Sequence, residues 1–337
     1  MAPLSLSLDP HQHTLKKSVS CSGVGLHSGD KVKLTIRPAS EHSGIRFYRT
    51  DLDDKNGIPA HMNKVVDTRL ATSIADKEMY VSTTEHVMAA LQGFGVDNAN
   101  IEISGAEVPI MDGSAGPFVL LLKRAGLKKQ NAMRKVLRIT KEISFTSGDT
   151  TIKILPYEGF KISSEIFFED SFIDRQTYSL DINTNRFSEE IAQARTFGYV
   201  EQVEELWANG LAQGGNLDNV IAIHWDRNSI LNEGGLRFGD EFIRHKVLDL
   251  IGDLALMGCP ILGHVIATRS GHTQHLGFMK AVAKATDCWE IVELETSNGH
   301  SVFRQVALTT KAMGEQIMPF FTPQKIHPSH NIAAAAC

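Results

Sequence analysis

FIRHKVLDLIGDLALM, residues 242–257, decides how the rest of the chain is read. Ile243, Val247, Leu250 and Leu254 recur at the spacing of a helix face, so the stretch is predicted as a helix with one buried side. His245, Asp249 and Asp253 stand at i, i+4 and i+8, and residues four apart lie one above the other on a helix. An imidazole and two carboxylates therefore form a stripe, expected on a surface separate from the apolar face.

The chain around this helix has the composition of a globular protein. At 337 residues it is long enough for a large core, and about 150 residues per domain suggests two domains. Acidic side chains number 39 and basic ones 34, and a net charge of -5 gives no general attraction for nucleic acid or anionic lipid. Cys21, Cys259, Cys288 and Cys337 form no CxxC pair, so neither a thiolate zinc cluster nor a disulfide framework is indicated and a cytoplasmic location is expected. The first residues, MAPLSLSLDPHQHTLKK, have no signal-peptide pattern, and no apolar run of about 18 residues occurs, so no transmembrane segment is expected.

Read in order, the chain repeats itself. Strand-like runs at 19–25 and 31–36 flank His27-Ser28-Gly29-Asp30, with Pro38 after the second. Ser147-Gly148-Asp149, a strand at 151–155 and Pro156 give the same order again. Each half later has a helix followed by a strand: TTEHVMAALQGF and NANIEI in one, the helix at 242–257 and ILGHVIAT in the other. The fold class is therefore α+β, with two similar units. The expected divisions are a loose leader (1–12), a first α+β domain (13–127), a polar linker KKQNAMR (128–134), a second domain (135–300) with a helical insert (186–215), and a tail (301–337).

Catalytic zinc takes three protein ligands, commonly imidazole and carboxylate, with water in the fourth position. His245 and Asp249 supply two. The matching helix of the first half offers Glu85-His86, which gives His86 as a third ligand and leaves Glu85 free as a base. These residues also have plainer readings. Ser82-x-x-Glu85 fits a capping box, and a His and an Asp four apart are commonly a solvated ion pair. No HExxH or HxxEH motif is present. His272, in Ser270-Gly271-His272 after a strand, is placed for acid catalysis or simply for exposure. Thr196, at the end of a helical stretch, can donate to an oxyanion or bond its own backbone. Lys246 sits a third of a turn from His245, near enough to meet a bound anion. Asp112-Gly113-Ser114-Ala115-Gly116 lacks the lysine of a P-loop and reads as a turn before a helix.

Taken together, SGVGLHSG (22–29), STTEHVMAALQGFGVDN (82–98), EVPIMDGSAGPFV (107–119), ARTFG (194–198), LNEGGLRFGDEFIRHKVLDLIGDLALMG (231–258) and SGH (270–272) resemble the UDP-3-O-acyl-N-acetylglucosamine deacetylase family, zinc amidases of lipid A synthesis. The resemblance covers roughly residues 14–290. It implies two domains, each with a sheet packed on two helices and its own insert, and an active site between them. It implies Zn2+ on His86, His245 and Asp249, Glu85 as general base, and His272 as the acid that protonates the departing amine. Asp253 would orient His272, Thr196 would stabilise the oxyanion, and Lys246, Phe168, Phe197 and His27 would bind substrate, with Phe168 against uracil. The implied partner is an acylated UDP-sugar, handled by a monomer. Asn216 departs from the serine found in many members, and there is no room for the fused dehydratase domain of some relatives, so one activity is expected. The alternatives are a metal-dependent deacylase of another acylated sugar nucleotide and a non-catalytic sugar-nucleotide binder. The second predicts loss of at least one of Glu85, His86, His245, Asp249 and His272, and all five are present.

Overall fold

The computed structural model describes residues 9–53, 56–169, 172–297 and 300–305. These belong to one compact unit of mixed sheets and helices. Six α-helical segments occur among the described residues: α1 (Glu85–Phe94), α2 (Gly116–Ala125), α3 (Thr184–Arg186), α4 (Val203–Ala208), α5 (Glu241–Leu254) and α6 (His272–Lys284).

The internal repeat is visible in the sheets. In the first half, strands Val19–Val24, Lys31–Pro38, Ala99–Ile103, Ile45–Arg49 and Ile58–Pro59 lie side by side in that order. Neighbours are antiparallel except Ile45–Arg49, which runs parallel to Ala99–Ile103. In the second half, Ile143–Ser147, Thr150–Leu155, Ile261–Thr268, Phe160–Phe167 and Arg175–Asp181 repeat both the order and the directions. The strand that follows α1 and the strand that follows α5 each sit at the centre, and α2 and α6 follow them. Strand alternation aims one face inward: Val32, Leu34 and Ile36 are buried on one strand, and Ala99, Ile101 and Ile103 on its neighbour.

Several expectations about the ends of these units change. Residues 1–8 lie outside the described residues, but order begins before residue 13, because His11–Leu15 is a strand. It pairs antiparallel with Leu127–Met133, so the stretch expected as a linker is itself part of a sheet. Its polar residues have well-placed partners, Gln130 Oε1 accepting from the buried Asn98 and Arg134 forming two bonds to Asp97. The insert at 186–215 is only partly helical: α3, a π-turn at Phe187–Ile191 and α4 alternate with a short strand Phe197–Tyr199. The tail expected at 301–337 begins inside a strand, His300–Gln305, paired antiparallel with Trp289–Ser297; everything beyond 305, like Asn298 and Gly299 of the expected second domain, lies outside the described residues.

The helix that opened the sequence reading is present as α5, continued by a tight turn at Ala255–Met257. Its polar stripe is not the separate surface expected. His245, Asp249 and Asp253 are as deeply buried as Val247 and Leu250, and only Arg244 and Lys246 are partly exposed. The reason is α1, which packs along the stripe. At their closest point a Cβ added to Gly252 would lie 2.0 Å from the carbonyl oxygen of Glu85, so only glycine admits the approach. α1 itself stops cleanly at Gly95, whose φ of 77° lets its N–H reach back to the last turn.

Gly252→Ala should therefore force the two helices apart. The expected loss is about 1–3 kcal/mol or more of unfolding free energy, read by chemical denaturation, because backbone rather than a movable side chain opposes the methyl group.

Candidate metal and catalytic centre

The centre is built where α1 meets α5. Glu85 and His86 are the first two residues of α1, and His245 and Asp249 stand one turn apart on α5. One side-chain donor atom from each of His86, His245 and Asp249 can be chosen so that all lie within 4.8 Å of one another. Asp249 Oδ1 faces His86 Nε2 at 3.5 Å and His245 Nε2 at 3.4 Å, and is buried without a hydrogen-bond partner. The two imidazoles meet edge to face, with centroids 5.0 Å apart. His245 Nδ1–H donates to the carbonyl of Ala194 at 3.1 Å, which leaves the lone pair on Nε2, the atom that faces Asp249.

Electrostatics agree with a ligand role. Burial pushes His245 down to about 3, so its imidazole is neutral near pH 7. Burial alone would raise Asp249, but His245 and Lys246 beside it hold the carboxyl well below the usual range, and it is an anion. A neutral imidazole at His245, a second imidazole at His86 and the Asp249 carboxylate, with an orphaned buried oxygen between them, fit a divalent ion of the zinc type. The solvated ion-pair reading fails, since Asp249 and both histidines are at most 3% exposed.

Glu85 does not cap its helix. The N-cap, Thr84, makes no side-chain capping bond, and the Glu85 carboxylate turns inward, where Oε2 accepts from the backbone N–H of Thr72 at 3.0 Å. Burial, the largest effect, raises its pKa. Thr72 also donates from its hydroxyl to Asp253 Oδ1 at 2.6 Å, so one residue spans Glu85 on α1 and Asp253 on α5.

Asp253 is the hub of a second cluster. Its Oδ2 accepts from His272 Nδ1 and His275 Nδ1, each at 2.7 Å, and Ser270 Oγ lies 2.9 Å from His275 Nε2. Burial alone would lower His272, but the charge of Asp253 and their hydrogen bond outweigh it, and His272 is raised to about 9. The same contacts bring Asp253 down to about 2 against the effect of its own burial. Asp253 and His272 are thus an ion pair near neutral pH, with Nε2 of His272 left to exchange a proton.

The remaining candidates lie around this core. Thr196 is two residues beyond Ala194, in a segment pinned to α5 by the buried pair Arg195–Glu241 (2.9 Å). The backbone of Thr196 bonds Gly113 and Ile221, each at 2.8 Å, which ties this segment to a loop of the first half. Lys246 Nζ donates to Asp249 Oδ2 at 3.1 Å and lies 5.4 Å from the centre of the Phe197 ring. Phe197 stacks edge-on against Phe168 and Phe242, with centroids 5.9 and 4.9 Å away, on an apolar cluster that includes Ile221, Ile223 and Ile243. His27 stands in the turn after Val19–Val24, where its ring nitrogens are buried and unpartnered. Its backbone N–H donates to Glu107 Oε1 at 2.9 Å.

Sequence reasoning missed Thr72 and His275. His275 had a signal, because it follows His272 by three residues on a helix and so shares its face. Thr72 had none, since its two bonds join residues 13 and 181 positions away.

Comparison with known proteins adds an independent finding. Residues 12–284 match the family model for UDP-3-O-acyl N-acetylglycosamine deacetylase. A Myxococcus xanthus protein named UDP-3-O-acyl-N-acetylglucosamine deacetylase is 48% identical over 282 residues, 84% of this chain and 89% of the relative. An Acidithiobacillus ferrooxidans protein of the same name is 44% identical over 303 residues, 89% of this chain and 99% of the relative.

The Asp253–His272 pair carries a pH signature. His272 is raised from an ordinary 6.5 to about 9, so its contribution to stability is complete below about pH 6.5 and is lost as pH rises through about 9. Denaturant titrations across that window should show wild type losing on the order of a few kcal/mol, and His272→Gln should flatten the decline.

Proposed function

The chain belongs to the UDP-3-O-acyl N-acetylglycosamine deacetylase family, and on that footing we propose that it removes the N-acetyl group of UDP-3-O-acyl-N-acetylglucosamine with a zinc ion held by His86, His245 and Asp249. The products are acetate and UDP-3-O-acyl-glucosamine, and the reaction is the committed step of lipid A synthesis. The observation that carries this reading is one of placement: a His2Asp donor set, a buried carboxylate at Glu85 and a protonated histidine at His272 converge where α1, α5 and α6 meet.

Amide hydrolysis needs an activated water, a stabilised oxyanion and a proton for the nitrogen. When bound, the ion supplies Lewis-acid polarisation of the carbonyl and makes water more acidic. Glu85, anchored by the Thr72 amide and raised by burial, takes the proton from the attacking water. The Thr196 hydroxyl donates to the oxyanion from a backbone fixed on both sides. His272, charged through Asp253, delivers a proton from Nε2 to the departing amine, and Thr72 and His275 hold Asp253 in the orientation this requires. Lys246 leaves Asp249 to meet an anionic part of the substrate, while Phe168 and Phe197 offer ring faces to the uracil and His27 contributes a further polar contact. The apolar cluster around Phe242 gives the acyl chain a surface continuous with Phe197.

A cytoplasmic location and a monomeric state are part of the same proposal. Cys21, Cys259 and Cys288 are unpaired, and no helix among the described residues is long and apolar enough to cross a membrane.

Metal analysis run beside a deacetylase assay tests the proposal. Wild type should contain about one zinc per chain and His245→Ala should lose both metal and turnover; active wild-type protein without stoichiometric metal overturns it. Glu85→Ala and His272→Ala should keep fold and zinc while kcat drops on the order of 100-fold or more, and wild-type turnover in folded Glu85→Ala removes the base assignment.

A further inference from the structure

Glu107 is a buried carboxylate whose three hydrogen bonds all come from uncharged groups. Oε1 accepts from the His27 N–H at 2.9 Å and from the Thr83 hydroxyl at 3.0 Å, and Oε2 accepts from the Ser28 N–H at 2.8 Å. Burying an acid without a cation is unfavourable unless its oxygens are bonded in this way. The backbone is shaped around it: isolated bridges pair Glu107 with Ser82 and Pro109 with Gly25, and a Cβ on Gly25 would lie 2.3 Å from Glu107 Oε2.

What these bonds hold in place gives them a consequence for the site. Thr83 is buried with φ of 57°, a left-handed conformation that β-branched residues rarely adopt, and it stands two residues before Glu85 and three before His86. The dihedrals at Thr83 set the direction in which the chain enters α1. On the other side of the same carboxylate, the His27-Ser28 turn determines where the His27 ring stands. A glutamine at this position keeps one acceptor oxygen but turns an NH2 group toward one of the donors, so only a carboxylate accepts on both sides.

We propose that Glu107 is a positioning residue that sets two parts of the reaction site at once: the entry to α1, through Thr83, and the His27 turn, through two backbone amides. The inference rests on the reading of Glu85 as general base and His27 as a substrate contact. It divides the kinetic consequences, because displacing Glu85 lowers kcat whereas displacing His27 raises KM.

Steady-state kinetics of Glu107→Gln, Thr83→Gly and the double variant test the assignment, with circular dichroism and zinc content measured on each. Glu107→Gln should lower kcat by about tenfold or more and raise KM severalfold with zinc still bound. Glycine adopts the left-handed conformation freely, so adding Thr83→Gly to Glu107→Gln should return kcat to within about threefold of Thr83→Gly alone while KM stays high. A contribution to general stability alone would give no such selective recovery. Glu107→Gln with kcat and KM both within about twofold of wild type, or a double variant without recovery of kcat, overturns the proposal. Should Glu107→Gln fail to fold, Thr83→Val removes one bond and leaves Glu107 in place. Lower kcat at unchanged KM then supports the assignment, and wild-type kcat overturns it. Glu85→Ala measured in parallel separates the two readings: turnover there removes the base assignment, whereas inactive Glu85→Ala beside fully active Glu107→Gln removes only this one.

Discussion

The close crossing of α1 and α5, where the backbone of Gly252 lies against the carbonyl of Glu85, is the contact on which the site depends. Each helix comes from one half of a repeated α+β unit, and each brings a pair of polar residues that it cannot satisfy alone. Crossing them at this distance places His86 beside His245 and Asp249, and turns the carboxylate of Glu85 toward Thr72 rather than toward its own helix terminus. A methyl group at residue 252 would undo all of this without touching any donor atom.

Burial of so many ionisable groups is unfavourable unless each is matched, and the matching is what differentiates them. Two carboxylates one turn apart on α5 end as anions for different reasons. Asp249 is held by His245 and Lys246 and keeps one oxygen orphaned, whereas Asp253 has both oxygens bonded and keeps His272 charged. Glu85 is pushed the other way by burial. The roles proposed for Asp249, Glu85 and His272 thus rest on side chains of ordinary chemistry, separated by their surroundings within one small volume.

Much of the fold was legible in the chain because its signals are local. Alternation in the strands and helical spacing in α1 and α5 depend only on near neighbours, and the repeated order of turn, strand, helix and strand corresponds to five strands that pair in the same order in the sheet of each half. Leu127–Met133 escaped because its pairing is supported by buried polar partners, which leave no apolar alternation to read. Residues 186–215 looked more helical than they are, since the Phe197–Tyr199 strand is stabilised by pairing with Ile221–Ile223 more than twenty positions away. Glu85 was ambiguous for the same reason: a capping box is a local alternative, and the Thr72 amide that displaces it is supplied by another segment.

The sequence by itself determined which side chains share a helix face, because a 3.6-residue period is a property of a single segment. It also carried the motif order that relates the chain to its family. Only the tertiary structure decided that the polar stripe of α5 is buried, which carboxylate keeps a free oxygen, and that Thr72 and His275 bond Asp253. Desolvation and charge pairing act through space, so the protonation state of His272 or the orientation of Glu85 follows from what packs against them, whatever their neighbours in the chain.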